Sequence, residues 1–258
     1  MGIVNATPDS FSDGGRDTAA AIAHLEQMVH DGADIVDIGG ESTRPGSAPP
    51  GTEEELARVL PVVRHAVGLG VPVSVDTSDP QVMQVALDAG ADIVNDVRAL
   101  ARPGALGVLA AHATAGVCLM HLRGEPATML DQAQYTDVVA EVVRELRLRL
   151  EAALDVGIAS ERIVLDPGIG FAKRATHNLE LLARQRELLA LGRPLMVGWS
   201  RKSTLGKVTG RGAAERLPAS VAAAVMALER GASILRVHDV AATVDAVALW
   251  CAARRALR

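Results

Sequence analysis

A short apolar run that ends in a polar residue recurs along this chain, and this recurrence constrains the fold more than any other feature. Each run has the length of one strand, and a segment of helical length follows it. The runs are apolar throughout, which is typical of parallel strands that are covered by helices on both sides. The polar residues at their ends are Asn5, Asp76, Asn95, Asp96, His121, Asp166, Arg236 and His238.

Eight such strand–helix units can be counted in the 258 residues. The predicted strands are 2–5, 33–38, 71–75, 92–95, 116–120, 162–165, 194–197 and 233–237. The predicted helices are 18–30, 53–67, 80–89, 104–113, 135–156, 178–191, 214–230 and 242–254. This pattern predicts an α/β fold with one domain over residues 1–258, a single (β/α)8 TIM barrel with its site at the C-terminal ends of the strands. A doubly wound sheet is the alternative, but it rarely needs eight uniform units.

Composition and charge restrict the partners of the chain. A net charge of -5 and the lack of a Lys/Arg run with interleaved aromatics argue against nucleic acid. No apolar run approaches the roughly 18 residues of a membrane span, and the first residues do not resemble a signal peptide. Cys118 and Cys251 have neither metal nor redox spacing, which favours a reducing, cytoplasmic location. We therefore expect small-molecule substrates.

Cations gather after the last two predicted strands. Arg201, Lys202 and Ser203 follow the seventh strand, and Arg236 and His238 end the eighth. Barrels often bind phosphate at this corner, and the Arg fork and the Lys ammonium both suit phosphate oxygens. A surface ion pair is the alternative for Arg201, and a weaker one for Arg236, which lies in an apolar run.

A second group of strand ends fits an amino-oxo heterocycle. Asp76, Asn95 and Asp166 end the third, fourth and sixth strands, and together they offer both hydrogen-bond donors and acceptors. Met120, at the end of the fifth strand, can pack against a ring or simply belong to the core. For one Asp or Asn alone, a helix N-cap is the plainer interpretation. Several polar ends that face one mouth are harder to explain in that way.

Both phenylalanines of the chain, Phe11 and Phe171, fall in predicted loops at the mouth. Core packing would have placed them in strands or helices. An aromatic ligand is one reason for this placement, and anchoring of the loops is the other.

Eight motifs follow one another over the whole chain. They are NATPDSFSDGG at 5–15, GGESTRPG at 39–46, VDT at 75–77, ND at 95–96, MH at 120–121, DPGIGF at 166–171, SRKS at 200–203 and RVHDV at 236–240. Together, and in this order, they resemble the motifs of the dihydropteroate synthase family. The resemblance implies a transferase that condenses 6-hydroxymethyl-7,8-dihydropterin diphosphate with 4-aminobenzoate in folate biosynthesis, a target of sulfonamides.

The resemblance also implies roles for single residues, a Mg²⁺ cofactor and a homodimer. Mg²⁺ is expected to be held mainly by the diphosphate, with Asn5 as a protein ligand. The expected pterin residues are Asp76, Asn95, Met120, Asp166 and Lys202, and the expected diphosphate residues are Asn5, Arg236 and His238. The expected 4-aminobenzoate residues are Phe11, Thr43, Arg44, Pro45, Phe171 and Ser203. The expected catalytic residues are Asp13, Asp166, Lys202 and Arg236.

Two other functions stay open at this point. A pterin-binding methyltransferase module has a similar barrel, but it does not need the SRKS segment together with Arg236 and His238 to hold a diphosphate. A non-catalytic pterin-binding paralogue is expected to lose the first two mouth loops, and both are complete in this sequence. The chain also starts later than relatives usually do, so the first strand is expected to lack support at the floor of the barrel.

Overall fold

The computed structural model describes residues 1–6, 14–42 and 49–256, without the side chains of residues 14–17. Its strands are short, and every neighbouring pair of strands runs parallel. The strands are β1 (Gly2–Asn5), β2 (Val36–Gly39), β3 (Val73–Asp76), β4 (Ile93–Asp96), β5 (Gly116–Met120), β6 (Ile163–Asp166), β7 (Met196–Val197) and β8 (Ile234–Leu235).

The eight strands form a closed ring. Strands β1 to β6 make one sheet in chain order, and β7 pairs with β8. A parallel bridge between Leu165 and Leu195 joins β6 to the segment before β7, and a second one between Gly2 and Val237 joins β1 to the segment after β8. This closure confirms the predicted (β/α)8 barrel.

Helices follow the strands and surround the ring. They are α1 (Gly14–His30), α2 (Thr52–Val67), α3 (Pro80–Asp88), α4 (Ala105–Ala111), α5 (Val138–Asp155), α6 (Ala175–Ala183), α7 (Ser203–Thr209), α8 (Leu217–Glu229) and α9 (Val240–Arg255). Local chemistry explains several starts. The Asp79 carboxylate caps the N-terminus of α3, whose first residue is Pro80. The Asp137 carboxylate caps the N-terminus of α5.

The structure corrects some predicted boundaries. The predicted helix 178–191 begins earlier, as α6, and continues after Arg184 as a 3₁₀ helix, Gln185–Leu191. The short helix α7 was not among the predicted helices. The last strand ends at Leu235, although the Arg236 amide still donates to the carbonyl oxygen of Val197 over 3.0 Å.

The first strand is supported on both sides, so the expectation of a weakly held β1 is wrong. Its amide groups pair with β2, and the Ile3 amide donates to the Val237 carbonyl over 2.9 Å. The amino group of Met1 donates to the carbonyl of Leu235 over 3.0 Å. Strand β8 therefore holds β1 at the floor of the barrel.

The core is a continuous apolar cluster between the ring and the inner faces of the helices. Directly under the mouth, one group of interior side chains is polar instead. Asp37 on β2, Asn95 on β4 and Arg236 after β8 contact one another there. Interior layers of such barrels take side chains from alternate strands and are usually Val, Ile or Leu, so a polar layer points to a site above it. Within the described ranges, the helices are too short or too polar to cross a membrane.

Candidate active site

A cleft of about 1190 Å³ opens at the C-terminal ends of the strands. Ten of the residues predicted from the sequence line it: Asn5, Asp76, Asn95, Met120, Asp166, Phe171, Lys202, Ser203, Arg236 and His238. The other five lie outside the described residues: Phe11, Asp13, Thr43, Arg44 and Pro45. Side chains that are more than 200 positions apart in sequence are thus brought to one mouth, while the roles assigned to them stay predictions.

Arg236 lies between two carboxylates. Its Nε donates to Asp37 Oδ2 over 2.6 Å, and its Nη2 donates to Asp76 Oδ2 over 2.7 Å. Burial raises the pKa of Asp76 above its ordinary value, and the positive charge of Arg236 opposes that rise. The guanidinium is therefore fixed at the edge of the cleft, where it can meet a negatively charged group.

Asp37 was missed in the sequence. Its side chain is fully buried, and the same Oδ2 atom also accepts from Asn95 Nδ2 over 3.0 Å. The signal was a carboxylate inside an apolar strand, rather than at its end. A buried charge needs a partner, so this Asp alone predicted a cation in the barrel interior.

Asp166 is the last residue of β6 and lines the cleft. Asp166 Oδ1 accepts from the Gly168 amide over 2.7 Å. Burial raises the pKa of Asp166, while this amide, Lys202 and Arg236 favour its charged form. Gly168 has a φ of 68°, and a Cβ there would lie 2.1 Å from the carbonyl oxygen of His121, so glycine is required.

Lys173 holds the loop after β6 from behind, and it too was missed in the sequence. The buried Nζ donates to the carbonyls of Gly168 over 3.0 Å and Phe171 over 2.9 Å, and it lies 2.9 Å from His121 Nδ1. Burial lowers the pKa of Lys173 to about 7. The signal in the sequence was a lysine next to a Gly-rich motif, but its partner His121 follows a different strand, β5.

His121 is a predicted strand end that turns away from the cleft. Burial lowers its pKa to about 4, so the ring is neutral near pH 7. Its Nε2 lies 2.9 Å from Glu145 Oε2 on α5. Because the Glu145 carboxylate can only accept, the neutral ring donates to it through Nε2–H, and Nδ1 accepts from Lys173.

Lys202 and Phe171 face each other across the cleft wall. Lys202 Nζ lies 4.3 Å from the centroid of the Phe171 ring, a cation–π contact. Burial and, to a smaller extent, repulsion by Arg236 together lower the pKa of Lys202 to about 8. Ser203 follows as the first residue of α7. Two cations, Lys202 and Arg236, thus share the side of the cleft that belongs to β7 and β8.

His238 and Arg201 complete this side. His238 Nδ1 lies 3.0 Å from Ser200 Oγ, and burial lowers the pKa of His238 to about 4, so its ring is also neutral near pH 7. Arg201 forms an ion pair with Asp239, with Nε 3.0 Å from Oδ2, and about half of its side chain is exposed. For Arg201 the surface ion pair, the alternative left open by the sequence, is confirmed.

Asn5 is the predicted metal ligand and lies at the end of β1, at the cleft wall. Among the described residues, no group of three or more His, Cys, Asp or Glu side chains is arranged to hold a metal. Mg²⁺ usually keeps several waters and takes one or two protein oxygens together with substrate phosphates. A single amide oxygen beside an anion site fits that kind of binding.

Comparison with known proteins agrees with this site. Residues 1–238 match the family described as pterin binding enzyme. The chain is 52% identical over 258 residues to the dihydropteroate synthase of Neisseria meningitidis serogroup B. The aligned region covers 97% of this chain and 90% of that protein.

Solved structures of two further dihydropteroate synthases have the same fold. The Xanthomonas albilineans protein with 4-aminobenzoic acid superposes with a TM-score of 0.93 at 50% identity, over 98% of this chain and 92% of that one. The Yersinia pestis protein in a sulfonamide drug complex superposes with a TM-score of 0.94 at 44% identity. The match covers 99% of this chain and 94% of that one. These matches confirm the family, the fold and the enzyme class that the motifs predict. The chain therefore belongs to the dihydropteroate synthase family of pterin-binding enzymes.

Proposed function

We propose that the cleft described above condenses 6-hydroxymethyl-7,8-dihydropterin diphosphate with 4-aminobenzoate to give 7,8-dihydropteroate and pyrophosphate. The observation that carries this proposal is the meeting of Arg236, Lys202 and Asp166 in one cleft. Two cations beside a buried carboxylate suit a substrate that carries a leaving diphosphate and develops positive charge on carbon. Membership of the family makes the chain a transferase of folate biosynthesis.

The pterin is assigned to the wall formed by β3, β4 and β6. Asp76 and Asp166 supply carboxylate oxygens, and Asn95 supplies an amide, so that the donor and acceptor edge of the ring can be paired. Met120, which is buried at the end of β5, packs against the ring. Lys202 reaches the same ring from the opposite wall.

The diphosphate is assigned to Arg236, His238 and Asn5. Arg236 keeps a positive charge at any working pH, and the neutral ring of His238 can donate a hydrogen bond to a phosphate oxygen. The diphosphate and the Asn5 amide oxygen would hold Mg²⁺, whose charge would offset the negative charge of the leaving group.

The reaction breaks the bond between the pterin methylene carbon and the diphosphate oxygen, and the electron pair leaves with pyrophosphate. Arg236 and Lys202 stabilise that negative charge, a contribution of several kcal/mol in a preorganised site. The carboxylate of Asp166 stabilises the cationic methylene. The amino nitrogen of 4-aminobenzoate then forms the new C–N bond and loses its proton to solvent, so no strong base is needed.

The 4-aminobenzoate is assigned to the outer part of the cleft, beside Phe171 and Ser203. The aromatic ring of Phe171, held by Lys202, offers a surface for a second aromatic ring. The remaining residues predicted for this substrate, and the catalytic Asp13, lie outside the described ranges and stay predictions from the family resemblance: Phe11, Asp13, Thr43, Arg44 and Pro45.

The decisive experiment mixes the purified protein with the pterin diphosphate, 4-aminobenzoate and Mg²⁺ and follows pyrophosphate release. We expect one pyrophosphate to be released for each dihydropteroate formed. Without 4-aminobenzoate, we expect only the slow release that comes from hydrolysis of the pterin diphosphate. A methyltransferase module would release none, and a non-catalytic paralogue would bind the pterin without turnover. Either result would overturn the proposal.

Sulfonamide sensitivity follows from the same assignment. A sulfonamide should compete with 4-aminobenzoate and raise its KM without changing kcat. Strong growth support by this gene in the presence of the drug would contradict that expectation.

We also propose a homodimer and a cytoplasmic location. Helix α8 exposes Leu217 and Met226 beside small residues, so it can pack closely against a second copy. Light scattering should then give twice 26.9 kDa. Cys118 and Cys251 are free thiols, which suits a reducing compartment.

A further inference from the structure

Asp37 connects two sides of the barrel through one oxygen atom. Its Oδ2 accepts from Arg236 Nε over 2.6 Å and from Asn95 Nδ2 over 3.0 Å. Strands β4 and β8 lie opposite each other in a ring of eight, and β2 lies midway between them. The carboxylate therefore spans the barrel interior below the cleft. Its other oxygen, Oδ1, is buried and has no hydrogen-bond partner among the described residues.

The first consequence concerns the guanidinium. Arg236 has five N–H groups, and the bonds to Asp37 and Asp76 use two of them. Within the described ranges the other three, two on Nη1 and one on Nη2, have no protein acceptor. Arg236 lines the cleft, so these three groups are the donors left for a ligand there. A carboxylate that bound Nη1 instead would occupy the donors that a ligand needs.

The second consequence concerns the amide of Asn95. A carboxylate that already binds a cation can only accept hydrogen bonds, so Asn95 must turn its NH₂ group toward Asp37. Its carbonyl oxygen is then left for the cleft, as an acceptor for a ring N–H. Without Asp37 the amide could adopt either of its two orientations. In one of them its NH₂ group, a donor, would face the ring N–H, which needs an acceptor.

We propose that Asp37 is a positioning residue of the condensation, which orients the guanidinium of Arg236 toward the diphosphate and the amide oxygen of Asn95 toward the pterin. The proposal rests on the function assigned to the cleft above. Asp37 touches neither substrate, since it is fully buried beneath these two side chains.

The charge of Asp37 also acts on its neighbour Asp76. Burial raises the pKa of Asp76, Arg236 lowers it, and Asp37, Glu41 and Asp96 raise it further, while the nearby Lys202 also interacts with this carboxyl. Removing the charge at position 37 should therefore lower the pKa of Asp76. In the pH–rate profile of Asp37→Asn, the limb that reports Asp76 should therefore move to lower pH. Loss of a merely structural residue would not cause this shift.

The test is the steady-state kinetics of Asp37→Asn, a variant that keeps the shape of the side chain. We expect kcat/KM for the pterin diphosphate to fall about 100-fold, the effect of misplacing a group near the chemistry by about 1 Å. The KM for 4-aminobenzoate should change little, because neither Arg236 nor Asn95 is assigned to that substrate. Wild-type kcat/KM for the pterin diphosphate, or a KM for 4-aminobenzoate that rises as much as or more than the KM for the pterin diphosphate, would overturn the proposal.

Ser74→Ala is the matched control. Ser74 lies beside Asp37 in the register of β2 and β3, is equally buried, and its hydroxyl also has no partner among the described side chains. Wild-type kinetics are expected for this variant. The same selective loss of pterin efficiency in Ser74→Ala would show that any polar deletion in the interior has this effect, and would also overturn the proposal.

A second measurement does not depend on the folding of a variant. A crystal structure of the wild-type protein with 6-hydroxymethylpterin and pyrophosphate should keep Arg236 Nε and Asn95 Nδ2 on Asp37. If either group leaves Asp37 to bind a ligand, the proposal fails. Failure of the proposed function has a different signature, since the wild-type protein itself would then release no pyrophosphate.

Discussion

Arg162 and Lys173 are two cations that bind backbone carbonyls at opposite ends of the barrel. At the floor, Arg162 Nε donates to Ala115 over 2.6 Å, and its Nη2 donates to Leu109 over 2.9 Å and His112 over 2.7 Å. At the mouth, Lys173 binds Gly168 and Phe171 in a similar way. The floor cation joins segments that precede strands, whereas the mouth cation shapes a loop that faces the cleft.

The two ends also differ in strain. The non-glycine residues with positive φ in the described ranges are Ala99, Leu100, Ala172 and Arg201. All of them follow β4, β6 or β7, on the side of the mouth. Such conformations cost about 1–3 kcal/mol each and cluster at functional sites. At the floor, by contrast, Asp92 accepts from the Val73 amide in an ordinary bond over 2.8 Å.

The comparison teaches how to separate function from architecture in a barrel of this kind. Polar groups at the floor bind backbone groups and close the ring. Polar groups at the mouth retain unused hydrogen-bonding atoms or lie beside strained backbone, and a ligand can exploit both. Changes at the two ends should therefore affect stability alike but activity differently.

The largest effect is expected for Arg236→Met. It removes the cation assigned to the leaving group, so kcat/KM should fall about 1,000-fold. It also leaves the carboxylates of Asp37 and Asp76 without their cation, which should lower the free energy of unfolding by about 3 kcal/mol. Pyrophosphate release and thermal denaturation measure the two effects.

The control for that variant is Arg193→Met, at the floor, where Nη1 donates to the Ser160 carbonyl over 2.6 Å. It should lose stability and keep its kinetics. A loss of kcat/KM below tenfold in Arg236→Met would break the distinction between the two ends.

A smaller effect is expected for Asp166→Asn. The amide oxygen can still accept from Gly168, but the negative charge beside the cationic methylene is gone. We expect kcat to fall about 100-fold. Asp92→Asn, which keeps the acceptor for Val73 at the floor, should turn over normally. Unchanged turnover in Asp166→Asn would remove the cation-stabilising role of this carboxylate.

The smallest effect concerns pH and Glu55, a buried carboxyl in the first turn of α2, near the mouth. Burial raises the pKa of Glu55 to about 7 from an ordinary value of 4.5. The folded state then binds more protons than the unfolded state between these values, so stability is greatest below pH 4.5 and falls as the pH rises to about 7. The free energy of unfolding of Glu55→Gln minus that of the wild type should therefore be about 2 kcal/mol larger at pH 8 than at pH 5.

Glu53→Gln changes an exposed carboxyl of the same helical turn and serves as the control, with little change at either pH. Denaturant melts at pH 5 and pH 8 give the four differences. An equal effect of Glu55→Gln on the free energy of unfolding at both pH values would contradict the raised pKa of Glu55.

The sequence predicted the ring of strands and the groups at their ends because both are local signals. An apolar run that stops at Asp76, Asn95 or Asp166 can be recognised without knowing where the rest of the chain lies. The helix α7 escaped because Ser203–Thr209 is only two turns long and begins inside a polar motif.

Residues that act through another side chain were missed, for a physical reason. Asp37 lies inside a strand, and its partner Arg236 is 199 positions away in sequence. Lys173 binds a ring that is 52 positions away. Such pairs exist only after the barrel closes, so the neighbouring sequence can mark a buried charge but cannot show which residue is its partner.

The most direct measurement compares Lys173→Met with Arg162→Met, one cation from each end of the barrel. Each variant leaves buried or half-buried carbonyls without a donor, and similar losses of melting temperature are expected. At a temperature where both proteins are folded, kcat/KM for the pterin diphosphate should fall about 100-fold in Lys173→Met and stay at the wild-type value in Arg162→Met. Equal kinetics in the two variants, whether both normal or both impaired, would contradict the account.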